Sequence, residues 1–328
     1  MHHRVQTDPS EPDEDARRQR FGPGEASPRG PRAAQADGLL STSPRLRAPA
    51  GACDAHIHIF DQRFPLRPDL HFTPFEATVE QYRQVQARLR LTRVVVVQSS
   101  AYGSDNRCLL DALRALGRAA RGIAMVPASV PDGELAGLRA AGVVGLRFLM
   151  APGGIVAWDE VARLAARATE HGLLTNLQLD GRTLPDHEPL LARLPGTLVI
   201  DHVGMFKAAV GTDHPGFAAL LRLLESGRTW VKLSAPYAGG LAGPPPYPAV
   251  GALARALAAA APDRLVWGSN WPHPFSVTQR GGIAEDDGML LDLLADWVPE
   301  PGVVLAANAA ALFGFPAPED RISPDGDT

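Results

Sequence analysis

Between about residues 50 and 316 the chain repeats one pattern eight times. A short apolar run, often β-branched, is followed in most cases by an Ala/Leu/Arg-rich stretch of helical period. The runs are Ala52–Ile59, Arg93–Ser99, Gly122–Pro127, Val143–Leu149, Leu173–Leu179, Leu198–Val203, Trp230–Ser234 and Leu265–Gly268. Between them the spacing predicts helices over Val79–Leu89, Asn106–Ala120, Asp132–Ala141, Trp158–Glu170, Pro189–Leu194, Gly216–Ser226 and Val250–Ala260. Strands without a polar face need cover on both sides, the condition of a parallel sheet between helix layers. Eight such units in about 270 residues fit an α/β fold of the closed (β/α)8 TIM-barrel type better than an open doubly wound sheet. No GxGxxG follows the first run and no GxxxxGK[ST] loop occurs, which weakens a nucleotide-binding alternative.

A single catalytic domain is therefore expected over residues 49–316. Residues 1–48 are Arg-, Pro-, Asp- and Ser-rich, with Met1, Val5, Phe21, Leu39, Leu40 and Leu46 as their only large apolar residues. Such a segment cannot bury enough surface to offset its chain entropy, so a disordered N-terminal extension is expected. Arg17-Arg18 is not followed by an apolar stretch, so the extension does not read as an export signal and a cytoplasmic location is expected. Residues 317–328 read as a disordered C-terminal tail.

The formal charge of −4, from 36 acidic against 32 basic residues, argues against nucleic acid or an anionic membrane as the main partner. No apolar run approaches the roughly 20 residues of a membrane helix. Two cysteines, Cys53 and Cys108, exclude a disulfide-stapled scaffold and any CxxC site. A small-molecule partner is the expectation that remains, and nothing in the sequence fixes an oligomeric state.

In a barrel, chemistry sits at the carboxyl ends of the strands. The first run is Cys53-Asp54-Ala55-His56-Ile57-His58. Strict alternation would put Asp54, His56 and His58 on one face, either as functional groups or as hydrogen-bonded core histidines. The second exit offers Ser100 and Tyr102, placed to bind substrate or to support the loop. The fourth strand carries Arg147, which suits a substrate carboxylate or an ion pair in the barrel wall. At the sixth exit His202 is the functional candidate, while Asp201 has the opposite parity and is expected to face the helices. The seventh strand offers Lys232, Ser234 and Tyr237; Lys232 reads more as a structural ion-pair partner than as a ligand for substrate. The eighth exit reads Trp267-Gly268-Ser269-Asn270-Trp271-Pro272-His273-Pro274.

Asp54-Ala55-His56-Ile57-His58, Asp201-His202-Val203-Gly204 and the Trp267–Pro274 segment resemble the amidohydrolase superfamily. With Gln98–Asn106 and Gly145-Leu146-Arg147-Phe148 the resemblance narrows to the amidohydrolase-related branch that contains 2-pyrone-4,6-dicarboxylate lactonase, over about residues 50 to 316. The resemblance implies a barrel that opens lactones without a bound metal. His56, His58 and His202 would polarise the lactone carbonyl, Arg147 would bind a carboxylate and Ser100 would assist.

Two departures follow from that comparison. The lactonases place an aspartate on the eighth strand as general base, and here the residue is Asn270, which cannot take a proton at working pH. Related galactarolactone isomerases also lack that base. Two further arginines common in the branch are missing, with Gly153 and Ala238 at the corresponding places, so a sugar lactone or a monocarboxylate lactone fits better than pyrone dicarboxylate.

The sequence thus points to a lactone hydrolase, with catalytic His56, His58, His202 and Asn270 and substrate-binding Ser100, Tyr102, Arg147, Ser234, Tyr237 and His273. The alternatives are a lactone isomerase, a zinc-dependent hydrolase or decarboxylase, and a non-catalytic binder. No cofactor is expected; a zinc ion, if present, would sit on His56, His58 and His202.

Overall fold

A computed structural model describes residues 42–70, 74–207, 210–239, 245–274 and 285–316. Eight parallel strands form one sheet in sequential order: β1 (Cys53–Ile57), β2 (Arg93–Val97), β3 (Ala120–Ala124), β4 (Val143–Leu149), β5 (Leu174–Gln178), β6 (Leu198–Ile200), β7 (Thr229–Ser234) and β8 (Leu265–Gly268). The sheet closes on itself. His58 N donates to Trp271 O and Asn270 N donates to His56 O, each at 2.8 Å. Gly268 makes this seam possible, because a Cβ there would lie 2.8 Å from the backbone N of His56.

The strands are joined by α1 (Val79–Leu89), α2 (Arg107–Leu116), α3 (Asp132–Ala140), α4 (Trp158–Glu170), α5 (Leu184–Leu191), α6 (Pro215–Glu225) and α7 (Pro248–Ala260). Two more follow β8: α8 (Asp287–Trp297) and α9 (Asn308–Phe313). α8 lies outside the seven helices expected from the spacing; it buries one broad face with Leu290, Leu291, Leu293, Leu294 and Trp297.

Residues 42–48, placed by composition in the extension, are seated on α8. Asp286 Oδ1 accepts from Thr42 N at 2.9 Å, Asp292 Oδ1 accepts from Leu46 N at 2.8 Å, and Leu46 and Ala48 pack on the core. The remainder of the expected extension, residues 1–41, and the expected tail, residues 317–328, lie outside the described residues. Among the described residues no helix is long and apolar enough to cross a membrane.

The barrel interior changes character along its length. One end is filled by Cys53, Val95, Ile123, Val144, Leu174, Val199, Trp230 and Val266, and it is plugged by Ala309 and Phe313 of α9 and by Phe315 just beyond it. Two residues further along β5, β6 and β7, the inward positions turn polar. Leu174 gives way to Asn176 and Gln178, Val199 to Asp201, and Trp230 to Lys232 and Ser234. This gradient places the polar groups at the carboxyl ends of the strands.

Candidate active site

The site begins with a break in β1. Its pairing with β2 shifts register between Asp54 and Ile57, so the strand carries an extra residue there. The shift separates Asp54 from His56 and His58, which strict alternation had put on one face. Asp54 accepts from Ser269 N (2.9 Å), Ser269 Oγ (2.6 Å) and Tyr82 OH (3.3 Å), which ties β1 to the β8 exit and to α1. Burial pushes its carboxyl up to about 6.

His56 and His58 enter the barrel with their Nε2 atoms 3.3 Å apart. The His202 ring centroid is 4.7 Å from that of His56. His202 reaches the cluster because the backbone turns left-handed after β6, with φ 57° at His202 and 54° at Val203. Asp201 was expected to face the helices, and the structure overturns that. Val199 points inward, so Asp201, two residues on, does as well. Its Oδ1 lies 3.2 Å from Lys232 Nζ and 3.3 Å from His56 Nδ1, and its Oδ2 accepts from Asn176 Nδ2 at 2.7 Å. Lys232 is fully buried at the centre of the cluster, 3.2 Å from His56 Nδ1.

Donor and acceptor bookkeeping assigns the protons. His58 Nδ1 faces the Val97 carbonyl oxygen at 2.8 Å and must donate to it, which leaves Nε2 as an acceptor. His56 Nε2 donates to that acceptor, and Lys232 donates to His56 Nδ1. Both rings are then neutral. Burial drives the same way: it lowers His56 well below the usual range, and with the Arg147 charge it takes His58 down to about 3. The His202 Nδ1 is 2.8 Å from Ser234 Oγ. A hydroxyl gives or accepts equally well, so Ser234 supports either neutral tautomer of His202. Burial lowers His202 to about 4.

His56, Asp201 and His202 place donor atoms within 4.8 Å of one another, a spacing suited to a cation. The residues fit a divalent ion poorly there, because the Lys232 ammonium already contacts two of those donors at 3.2 Å. The Lys232–His56–His58–Val97 chain also engages the lone pairs that the expected set of His56, His58 and His202 would lend to zinc.

Arg147 is buried beside the histidines. It donates to Gln98 O (2.7 Å) and Gln178 Oε1 (2.6 Å), while its Nε has no hydrogen-bond partner among the described residues. Both partners are neutral. Ser100 lies against the loop after β4, where a Cβ on Gly153 would sit 3.1 Å from the Ser100 Cβ and the backbone φ is 93°. That geometry accounts for glycine at this place. The Tyr102 hydroxyl is held by the Asp61 backbone, accepting from its N at 2.8 Å and donating to its O at 3.2 Å.

At the β8 exit, Asn270 Nδ2 donates to Tyr237 OH at 3.0 Å. Tyr237 OH is 2.7 Å from His273 Nδ1, and His273 Nε2 is 3.0 Å from Asp287 Oδ1. Tyr237 and His273 are buried, and these bonds use their polar atoms. Asn270 Oδ1 is buried with no hydrogen-bond partner among the described residues. Asn270 and His273 both hold positive φ, 63° and 61°, so backbone strain gathers at the β6 and β8 exits.

The structure therefore gathers His56, His58, His202, Arg147 and Ser234 around one centre. Sequence reasoning placed Asp201 outside that centre, did not single out Asn176 or the Arg147 contact of Gln178, and missed Asp287 behind the β8 exit. An i, i+2 step from Val199 finds Asp201, and steps from Leu174 find Asn176 and Gln178.

The sequence profile of the amidohydrolase family matches residues 53–315. The chain belongs to the amidohydrolase family. It is 34% identical to the D-galactarolactone isomerase of Agrobacterium fabrum over 84% of this chain and 95% of that protein. It is also 34% identical to the 2-pyrone-4,6-dicarboxylate hydrolase of Comamonas testosteroni, over 79% of this chain and 87% of that protein. An apo crystal structure from Agrobacterium tumefaciens superposes with a TM-score of 0.77 at 32% identity, covering 84% of this chain and 99% of the other. This amidohydrolase barrel thus pairs a histidine cluster with a buried guanidinium at one mouth.

Proposed function

We propose that this amidohydrolase is a hydrolase of a small lactone, carboxylate-bearing or sugar-derived, and works through its own side chains. The observation that carries the reading is Arg147. A buried guanidinium whose side-chain and main-chain partners are all neutral is costly unless an anion completes it. A substrate carboxylate does so with the planar fork of donors that arginine offers. The lactone-acting relatives named above support the same substrate class.

The roles follow from the proton assignments. With the carboxylate on Arg147, the lactone carbonyl lies toward the histidine cluster, where the Lys232 charge stabilises the oxyanion. His202 Nε2 is the one ring nitrogen of the cluster not engaged by a described residue. It takes the proton from the attacking oxygen as the new acyl–oxygen bond forms. When the acyl bond to the ring oxygen breaks, it returns that proton to the leaving oxygen. With Nε2 as the base, His202 Nδ1 carries the ring proton, and Ser234 Oγ accepts from it before and after Nε2 is protonated. Asn270 accepts a hydrogen bond from the nucleophile without removing its proton.

One observation favours a second reading. Because the β8 exit holds a neutral amide, the nucleophile could be a hydroxyl of the substrate itself, which would change the ring size and leave no free acid.

The test is the change Arg147→Gln, assayed on a matched pair of lactones with and without a carboxylate. The expected result is a loss of about 10–100-fold in kcat/KM confined to the carboxylate-bearing member, the range of one charge-assisted hydrogen-bond pair. Equal losses on both members would remove Arg147 from anion binding.

A further inference from the structure

The chain of hydrogen bonds behind Asn270 has a direction, and its far end sets it. Asp287, the first residue of α8, is fully buried and accepts only. His273 Nε2, 3.0 Å away, must therefore carry a proton. With His273 neutral, Nδ1 is then an acceptor, and Tyr237 donates to it at 2.7 Å. The Tyr237 oxygen is left to accept, and the Asn270 group that faces it at 3.0 Å must be the NH2. The amide oxygen is thereby turned the other way, where no described group meets it. Reversing the amide would require Tyr237 to donate to Asn270 and His273 Nδ1 to donate to Tyr237. In a neutral ring that would leave a bare nitrogen lone pair against the Asp287 carboxylate, whereas a doubly protonated ring would permit the reversal and is told apart by the ring-15N spectrum below.

We infer that Asp287, acting through His273 and Tyr237, fixes the Asn270 amide with its carbonyl oxygen toward the pocket, so that the β8 exit selects a hydroxyl donor in the bound substrate or nucleophile. Asp287, His273 and Tyr237 are positioning residues, and Asn270 is the group that touches the ligand. The left-handed backbone at Asn270 and His273 shows how firmly the surroundings hold both ends of the segment. The inference rests on the lactone reading for the identity of the ligand, but not for the direction of the chain.

The direct test is ring-15N NMR of the histidines, with His273 assigned by its loss in His273→Gln. The expected spectrum of the unsubstituted protein shows His273 neutral with the proton on Nε2. Asp287→Asn frees the direction of the chain, because the new amide can accept or donate. Part of His273 should then shift to the Nδ1–H tautomer, and kcat/KM should fall by about tenfold, the worth of one oriented hydrogen bond. Tyr237→Phe cuts the chain nearer the pocket. It should give the same kinetic loss while His273 keeps its Nε2 proton on Asp287. A proton on Nδ1 in the unsubstituted protein would overturn the inference, as would an Asp287→Asn protein with unchanged tautomer and kinetics. Absence of turnover on every lactone would count against the functional reading alone, because the tautomer is read without substrate.

Discussion

Lys232 Nζ lies 3.2 Å from Asp201 Oδ1, and both side chains are completely buried. A pair of opposite charges in this setting is held by geometry and fails badly when halved. Lys232→Met leaves the Asp201 carboxylate buried without its cation and should cost about 3–5 kcal/mol, read from urea unfolding. Adding Asp201→Asn to the same protein should recover much of that loss, because the two sites are coupled. Additive losses would show that the pair is not the unit described here.

The histidine cluster sets the acid limb. Burial lowers His202 to about 4 and His58 to about 3, both below the ordinary value of 6.5. The unfolded chain therefore takes up these protons first as pH falls. Stability from these groups is full above 6.5 and drains away down to about 3. Activity should persist to lower pH than a normal histidine base allows, with kcat/KM falling only near pH 4 as His202 is protonated. A break near pH 6.5 would contradict a buried, neutral His202.

Arg147 should separate binding from stability. Among the described residues its guanidinium hydrogen-bonds only to neutral groups and its Nε has no hydrogen-bond partner, so the fold gains little from its charge. Arg147→Met should leave the unfolding free energy unchanged or slightly raised, while KM for a carboxylate lactone rises. A loss of several kcal/mol would mean that the residue is part of the barrel wall and not of a ligand site.

Asn270→Asp puts a carboxylate where the amide now sits. General-base catalysis contributes roughly 10²–10⁴-fold, so a large gain in ring-opened acid would show that the unsubstituted enzyme mainly uses a substrate hydroxyl as nucleophile. No gain would show that His202 already does the work of the base.

Much of this was legible before any coordinates. Eight apolar runs and seven helical stretches define the barrel, and β4 and β8 keep their expected bounds. His56, His58, His202 and Arg147 stand out because polar groups in apolar strands need a reason. Two errors came from applying strict alternation where the backbone departs from it. The extra residue in β1 turns Asp54 away from His56 and His58, and the left-handed turn after β6 brings His202 in beside Asp201 instead of in its place. Neither a register shift nor a positive φ at a histidine or a valine has a strong local signature. The orienting chain was invisible for another reason. His273 and Asp287 are fourteen residues apart, and only the docking of α8 brings them to 3.0 Å.

The most direct measurement follows carboxylate-bearing sugar lactones and pyrone carboxylates by NMR with chelator-treated protein, scoring ring-opened acid and ring-size change together. Acid is expected from at least one carboxylate-bearing lactone, and His202→Gln should abolish it. Ring-size change without acid would make the nucleophile a hydroxyl of the substrate and favour the second reading. No change in any lactone, from protein whose fold is verified by its unfolding transition, would contradict the assignment of this site to lactone chemistry.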